Sequence, residues 1–115
     1  MTDLFSLAGR TALVTGGSRG IGRMIAAGFL KQGARRVYIA SRKAADCDAA
    51  ANELAAFGDC VSLPADVSTL DGVNALAAAL GARETAGRLD ILVNNAGAAW
   101  GEGFDTFPEK GWDKV

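Results

Sequence analysis

Hydrophobic and polar positions alternate along the chain between two kinds of segment. Short, almost continuous apolar runs predict buried strands at 11–15, 36–41, 60–63 and 90–94. Between these runs, apolar residues recur at the spacing that places them on one face of a helix. The three predicted faces consist of Ile21, Met24, Ile25, Gly28 and Phe29 in the first helix, Cys47, Ala50, Ala51, Leu54 and Phe57 in the second, and Val73, Leu76, Ala77 and Leu80 in the third.

The order of these elements predicts an α/β fold. We expect Gly33 and Gly58 to end the first and second helices, as glycine commonly does. Four strands that alternate with three helices are typical of a parallel sheet, because every crossover must traverse the sheet. The chain therefore predicts a Rossmann-type, doubly wound parallel sheet in three α/β/α layers. No linker divides residues 1–115, which we treat as one domain.

Composition narrows the classes of partner. The formal net charge is −1, so the chain lacks the basic surplus of a dedicated nucleic-acid binder. No apolar run approaches the roughly 20 residues of a membrane span, and the first residues do not resemble a secretory signal. We expect a cytoplasmic protein with neither a nucleic acid nor a membrane as its partner.

Cysteine and histidine usage argues against a metal centre. The two cysteines, Cys47 and Cys60, do not have C-x-x-C spacing, and the chain contains no histidine. We therefore predict neither a disulfide nor a metal site.

A glycine-rich turn joins the first strand to the first helix. The sequence Thr-Gly-Gly-Ser-Arg-Gly-Ile-Gly at 15–22 directs free backbone N–H groups at the start of a helix, which is an arrangement that binds anions. Gly16 permits a sharp turn, Gly20 lets the backbone approach a pyrophosphate, and Gly22 lets the helix lie close to the sheet. The alternative is a turn that only connects the two elements.

Together with Asn-Asn-Ala-Gly at 94–97, this turn resembles the classical short-chain dehydrogenase/reductase family, and the resemblance extends over the whole chain. The resemblance implies that the turn holds a cofactor pyrophosphate and that the second motif supports the sheet and contacts the adenosine side. The residues to which it assigns these roles are Gly16, Ser18, Gly20, Ile21, Gly22, Asn94, Asn95, Ala96 and Gly97. Relatives hold adenine with the positions of Asp66 and Val67, although Asp66 also suits a turn before a helix.

The end of the second strand indicates which dinucleotide is bound. NAD-selective sites place a carboxylate about 20 residues beyond the glycine turn, whereas this chain has Ser41 there, followed by Arg42 and Lys43. A guanidinium can hold the 2′-phosphate of NADP through two parallel hydrogen bonds. Arg19 resembles the second basic residue that NADP-using relatives place beside this phosphate. We predict NADP(H), with a solvated charge as the alternative role for either arginine.

Catalytic residues are not expected within these 115 residues. The resemblance implies proton transfer by a Ser, a Tyr and a Lys, with a supporting Asn, and we expect all of them downstream of Val115. Tyr38, the only tyrosine, lies in the second strand and is predicted to be a packing residue. We expect the chain to be the cofactor-binding N-terminal portion of a reductase, with its fourth strand exposed at a sheet edge. The alternative is a non-catalytic NADP(H)-binding module.

The resemblance implies a small-molecule carbonyl or alcohol as the substrate. Residues 3–10, 57–60 and 95–101 look most similar to 3-oxoacyl-thioester reductases associated with rhamnolipid biosynthesis. Reduction of sugars, polyols or other ketones remains an alternative. The family also implies a homo-oligomer for the full-length protein.

Overall fold

The computed structural model describes residues 6–84 and 88–95 of the chain. Within them, four strands alternate with three helices, which confirms the predicted order of elements. The elements are β1 (Thr11–Thr15), α1 (Gly20–Lys31), β2 (Arg36–Ala40), α2 (Ala44–Leu54), β3 (Cys60–Ser62), α3 (Leu70–Arg83) and β4 (Ile91–Asn94).

The four strands form one parallel sheet in the order β3-β2-β1-β4. The chain runs outward from β1 through β2 to β3 and then returns to the other side of β1. Such a reversal opens a crevice beyond the carboxyl ends of the strands, which is where open α/β sheets bind ligands. The predicted Rossmann-type α/β fold is confirmed, and β4 is a sheet edge among the described strands.

Successive strand residues point to opposite sides of the sheet, so each face carries buried side chains that helices cover. Val14 and Ile39 belong to a buried cluster that includes α1 and α2 residues, whereas Leu13 and Tyr38 belong to a cluster that includes Leu76 of α3. These two clusters on opposite faces of one sheet produce the three layers that the sequence predicts.

The buried face of α1 differs from the predicted one. Ile21 and Met24 are 67% and 73% exposed, whereas Gly22, Ala26 and Leu30 are buried. The helix is apolar on more than one face, so spacing alone does not identify the side that meets the sheet. Small side chains let a backbone approach most closely, and Gly22 and Ala26 therefore face inward.

The helix ends are partly as predicted. Gly33 has φ +90° and donates its N–H to Leu30 O (3.0 Å), while Ala34 N donates to Phe29 O (3.1 Å). These two bonds form a Schellman motif that ends α1. The prediction for Gly58 is wrong, because α2 ends at Leu54, four residues before this glycine. The predicted buried faces of α2 and α3 are each wrong at one position.

The second helix ends at Leu54, and Phe57 beyond it is exposed, with Lys31 Nζ 4.6 Å from its ring centroid. A cation–π contact at the surface thus takes the place of the predicted core contact. In α3, Ala77 is exposed and Ala79 packs towards the sheet instead.

Tyr38 is completely buried, which agrees with its predicted packing role. Its hydroxyl donates to the carboxylate of Glu84, a partner that the sequence pattern does not reveal. Across residues 6–84 and 88–95, no helix combines the length and the apolarity needed to traverse a lipid bilayer.

Candidate functional site

A cleft of about 450 Å³ lies at the carboxyl ends of the strands. Its lining includes eight residues that the sequence predicts to bind a cofactor: Gly16, Ser18, Arg19, Ser41, Arg42, Asp66, Val67 and Asn95. Three further residues, Ala40, Ala65 and Ser68, also line it and were not predicted. The turns after β1, β2 and β3 therefore converge on one space, as parallel strands require.

The turn after β1 needs glycine for its backbone conformation. Gly16 and Gly20 have φ values of +68° and +62°, a region that side chains with a Cβ rarely adopt. Gly16 N donates to Ala40 O at 2.7 Å, which ties the turn to the end of β2.

Two other glycines of this turn are required by close packing. A Cβ on Gly22 would overlap Gly16 O and lie 2.7 Å from Asn95 Nδ2, so α1 presses directly on the turn and on the end of β4. A Cβ on Gly17 would lie 2.6 Å from Ile39 Cγ2. Gly17 was not singled out from the sequence, although the adjacent pair of glycines was a signal for it.

The amino end of α1 suits an anion. Arg19 occupies the N-cap position in an extended conformation, makes no side-chain capping bond, and no acidic residue lies in the first turn. The first N–H groups of a helix have no intrahelical acceptor, and the helix dipole favours negative charge beside them. A Cβ on Gly20 would meet no atom of the described chain within 4 Å, so there is room in front of the turn.

The end of β2 supplies a hydroxyl and a cation. Ser41 Oγ is buried, and among the described residues it has no hydrogen-bond partner. A buried hydroxyl without a partner costs about 1–3 kcal/mol, so a ligand atom that bonds to it is favoured. Arg42 is exposed and lines the same cleft, as does Arg19. Asp66, on the other wall, is the single carboxylate among the described lining residues.

Asp66 forms the turn before α3 and also lines the cleft. Its Oδ1 accepts from Ser68 N (3.0 Å) and from Ser68 Oγ (2.5 Å). Thr69 caps α3 by accepting from Gly72 N at 3.0 Å. A Cβ on Gly72 would overlap Asp66 O, so this glycine keeps the Asp66 backbone close to α3.

The ends of β1 and β4 are joined through Thr15. Asn95 N donates to Thr15 Oγ1 at 2.9 Å, and the Thr15 hydroxyl lies 3.2 Å from both Asn94 Oδ1 and Val93 O, either of which it can donate to. The predicted role of the 94–97 segment in supporting the sheet requires hydrogen bonds such as these.

Some predicted cofactor-binding residues do not line the cleft. Gly20, Ile21, Gly22 and Asn94 lie beside it without forming its wall, and Ala96 and Gly97 lie outside the described residues.

The expected location of the catalytic residues also lies outside the described part of the chain. The last residue that the structure describes is Asn95, whereas the Ser, Tyr and Lys are expected downstream of Val115. Their placement beyond Val115 therefore stays a prediction.

Neither a metal site nor a reactive thiol is found where the structure describes the chain. In residues 6–84 and 88–95, no three His, Cys, Asp or Glu side chains come together as a metal site. Cys47 and Cys60 are free thiols, and burial raises the pKa of the Cys60 thiol to about 12. Cys60 therefore stays protonated near neutral pH.

Comparisons with known proteins agree with this arrangement. The family model described as short chain dehydrogenase matches residues 10–115. The chain is 56% identical over 115 residues to the rhamnolipids biosynthesis 3-oxoacyl-[acyl-carrier-protein] reductase of Pseudomonas aeruginosa, covering 100% of this chain and 44% of that protein. It is 41% identical over 114 residues to the gluconate 5-dehydrogenase of Gluconobacter oxydans, covering 98% of this chain and 43% of that protein.

Two solved structures extend the comparison. The RhlG/NADP active-site complex of Pseudomonas aeruginosa superposes with a TM-score of 0.80 at 54% identity, covering 100% of this chain and 42% of that one. L-Sorbose reductase from Gluconobacter frateurii, complexed with NADPH and L-sorbose, has a TM-score of 0.75 at 34% identity, covering 96% and 41%. The chain thus spans less than half the length of these relatives.

Proposed function

Because this chain belongs to the short chain dehydrogenase family, we propose that its cleft binds NADP(H) for the oxidation or reduction of a small-molecule alcohol or carbonyl. The observation that carries this proposal is the end of β2, where Ala40, Ser41 and Arg42 line the cleft and supply a cation but no carboxylate. The buried Ser41 hydroxyl has no hydrogen-bond partner among the described residues. The relatives solved with NADP or NADPH support the same cofactor.

Each part of the cleft has a proposed task. The N–H groups at 16–22 hold the pyrophosphate, while Arg19, Ser41 and Arg42 hold the 2′-phosphate. Asp66 and Val67 contact the adenine, and the 94–97 segment supports the sheet beside the adenosine. The bound nicotinamide carries the hydride, and the residues of this chain bind and orient the cofactor.

Proton transfer falls to residues outside this chain. We propose that residues 1–115 are the cofactor-binding N-terminal portion of a longer single-domain reductase, in which a Ser, a Tyr and a Lys downstream of Val115 manage the proton. The relatives, of which the chain covers 41–44%, support this proposal. The alternative is a module that binds NADP(H) without turnover.

A 3-oxoacyl thioester is the proposed substrate class, since the 56%-identical relative is a 3-oxoacyl-[acyl-carrier-protein] reductase. Ketoses and keto sugar acids are a second candidate, because a gluconate 5-dehydrogenase and an L-sorbose reductase are also similar to the chain. Loss of NADPH absorbance with each substrate distinguishes the two. Faster turnover of a sugar than of a 3-oxoacyl thioester by the whole protein would overturn the first.

The cofactor assignment is tested by Arg42→Asp. We expect NADPH binding to weaken about a hundredfold, because a charge-assisted hydrogen bond is replaced by repulsion of the 2′-phosphate, while NADH binding changes about threefold at most. The measurement is a fluorescence titration with each cofactor. Arg83→Asp, at the end of α3, imposes the same change of net charge away from the cleft and should leave both affinities unchanged. Equal losses for NADPH and NADH in Arg42→Asp would refute the assignment.

A further inference from the structure

A second cavity, of about 350 Å³, lies at the amino ends of the strands, opposite the proposed cofactor cleft. Its lining is rich in arginine and consists of Gly9, Thr11, Arg35, Arg36, Arg83, Glu84, Arg88 and Asp90. We call it the arginine cavity. Its lining residues take no part in the proposed binding of NADP(H).

A buried carboxylate forms the floor of the arginine cavity. Glu84 is 8% exposed and accepts hydrogen bonds from the Tyr38 hydroxyl, from Arg35 and from Arg36, the last at 3.0 Å. The Tyr38 hydrogen bond, followed by that from Arg36, lowers the pKa of Glu84, so this carboxylate is charged near neutral pH. The Glu84 carboxylate therefore holds the guanidiniums of Arg35 and Arg36 in position.

Three of the four guanidiniums are held in place. Arg35 donates to Thr11 Oγ1 from Nε (3.1 Å) and from Nη2 (2.8 Å). Arg36 Nε donates to Asp59 at 2.7 Å, and Arg88 Nε donates to Asp90 at 2.7 Å. A guanidinium has five N–H donors, so each keeps donors free for a ligand. Part of the cost of ordering these side chains is thus met before a ligand arrives.

The charges of the cavity do not cancel. Among the described residues, four guanidiniums and two carboxylates line it, and the nearby Arg10 and Asp59 offset each other, which leaves a surplus of two positive charges. In the described part of the chain, Arg83 forms no salt bridge. The carboxyl end of α3 contributes the equivalent of about −0.5 charge, which is smaller than the surplus.

We propose that the arginine cavity is a binding site for a small oxyanion of about two negative charges, of which inorganic phosphate is the simplest. Arg83 and Arg88 bind the anion with their exposed guanidiniums. Arg35 and Arg36 bind it with the N–H donors that their protein partners leave free. Planar guanidiniums match the oxygen spacing of phosphate and bind it through pairs of parallel hydrogen bonds.

The test is a titration of the intact protein with inorganic phosphate, measured by isothermal titration calorimetry. The ionic strength is held constant with chloride as the balancing anion. Two double variants are compared, Arg83→Gln with Arg88→Gln in the arginine cavity and Arg23→Gln with Lys31→Gln on α1, outside both cavities. Both remove two positive charges. None of the four residues is buried, so the fold should survive each change.

We expect phosphate affinity to fall about tenfold or more in the first double variant, from the loss of at least one charge-assisted bond, and to hold within about twofold in the second. Unchanged affinity in the first variant would overturn the proposal. Equal losses in the two variants would reveal a response to net charge alone, and that result would also overturn the proposal.

Discussion

At the scale of single residues, the glycines of α1 and its preceding turn meet different physical demands. Gly16 and Gly20 adopt positive φ, whereas Gly22 allows a close approach of backbone atoms. Gly28 lies exposed within α1, where an added Cβ would meet nothing within 4 Å in the described structure. Substitution by alanine should therefore have opposite effects at Gly22 and Gly28.

We predict that Gly22→Ala lowers the free energy of unfolding by about 2 kcal/mol and weakens NADP(H) binding, because the Cβ would push α1 away from Gly16 and Asn95. Gly28→Ala should raise the free energy of unfolding by about 0.5–1 kcal/mol through helix propensity and leave cofactor affinity intact. Urea unfolding and cofactor titration of both variants measure these effects. Similar stabilities for the two variants would contradict the close packing seen at Gly22.

Local sequence rules predicted the structural roles of only some residues at the site. The roles of Gly16 and Gly20 follow from the turn motif, since a positive φ is a local property. Gly17 was missed because its constraint comes from Ile39, a residue of the neighbouring strand. The burial of the Ser41 hydroxyl likewise depends on three-dimensional packing that spacing does not report.

At the scale of elements, α3 is held to the sheet by apolar packing around Leu76 and by a polar anchor at its end. Leu76 is the single buried residue between Leu70 and Arg83, whereas Glu84, directly after the helix, is buried and bound to Tyr38 and Arg36 of β2. The sequence pattern predicted α3 and the core position of Leu76. It could not predict this polar anchor, because pairing across 46 residues leaves no periodic signal.

The anchor predicts a pH dependence of stability. Glu84 has a pKa below its ordinary value of 4.5, so its stabilising contribution is fully present above that value and is lost as the pH falls through the lowered pKa. We expect Glu84→Gln to reduce the loss of stability on acidification below about pH 4.5. It should also lower the free energy of unfolding at pH 7 by about 2 kcal/mol, since the buried Tyr38 hydroxyl loses a charged acceptor.

Urea unfolding between pH 3 and pH 7 measures both effects in Glu84→Gln. Asp48→Asn is a suitable control, because Asp48 is an exposed carboxylate bonded only to Ser62 among the described hydrogen bonds. Parallel pH profiles for wild type and Glu84→Gln would show that Glu84 does not anchor α3.

At the scale of the whole molecule, the alternation of elements was enough to predict a parallel, doubly wound sheet. It was not enough to predict the strand order, because the pairing of β1 with both β2 and β4 joins residues that are distant in sequence. The expectation that β4 is a sheet edge is confirmed within the described residues, where Leu92 is 47% exposed. The resulting topology separates the proposed cofactor cleft from the arginine cavity by the length of the strands.

The central claim is that the N–H groups at 16–22 hold the diphosphate of NADP(H). An NMR titration of the ¹⁵N-labelled protein with NADP⁺ tests it most directly. We predict saturating amide shifts at Gly16, Ser18, Gly20 and Asp66, with no shift at Gly9 on the opposite side of the sheet. Saturable binding that shifts Gly9 and leaves the 16–22 amides unmoved, or no binding at all, would contradict the account.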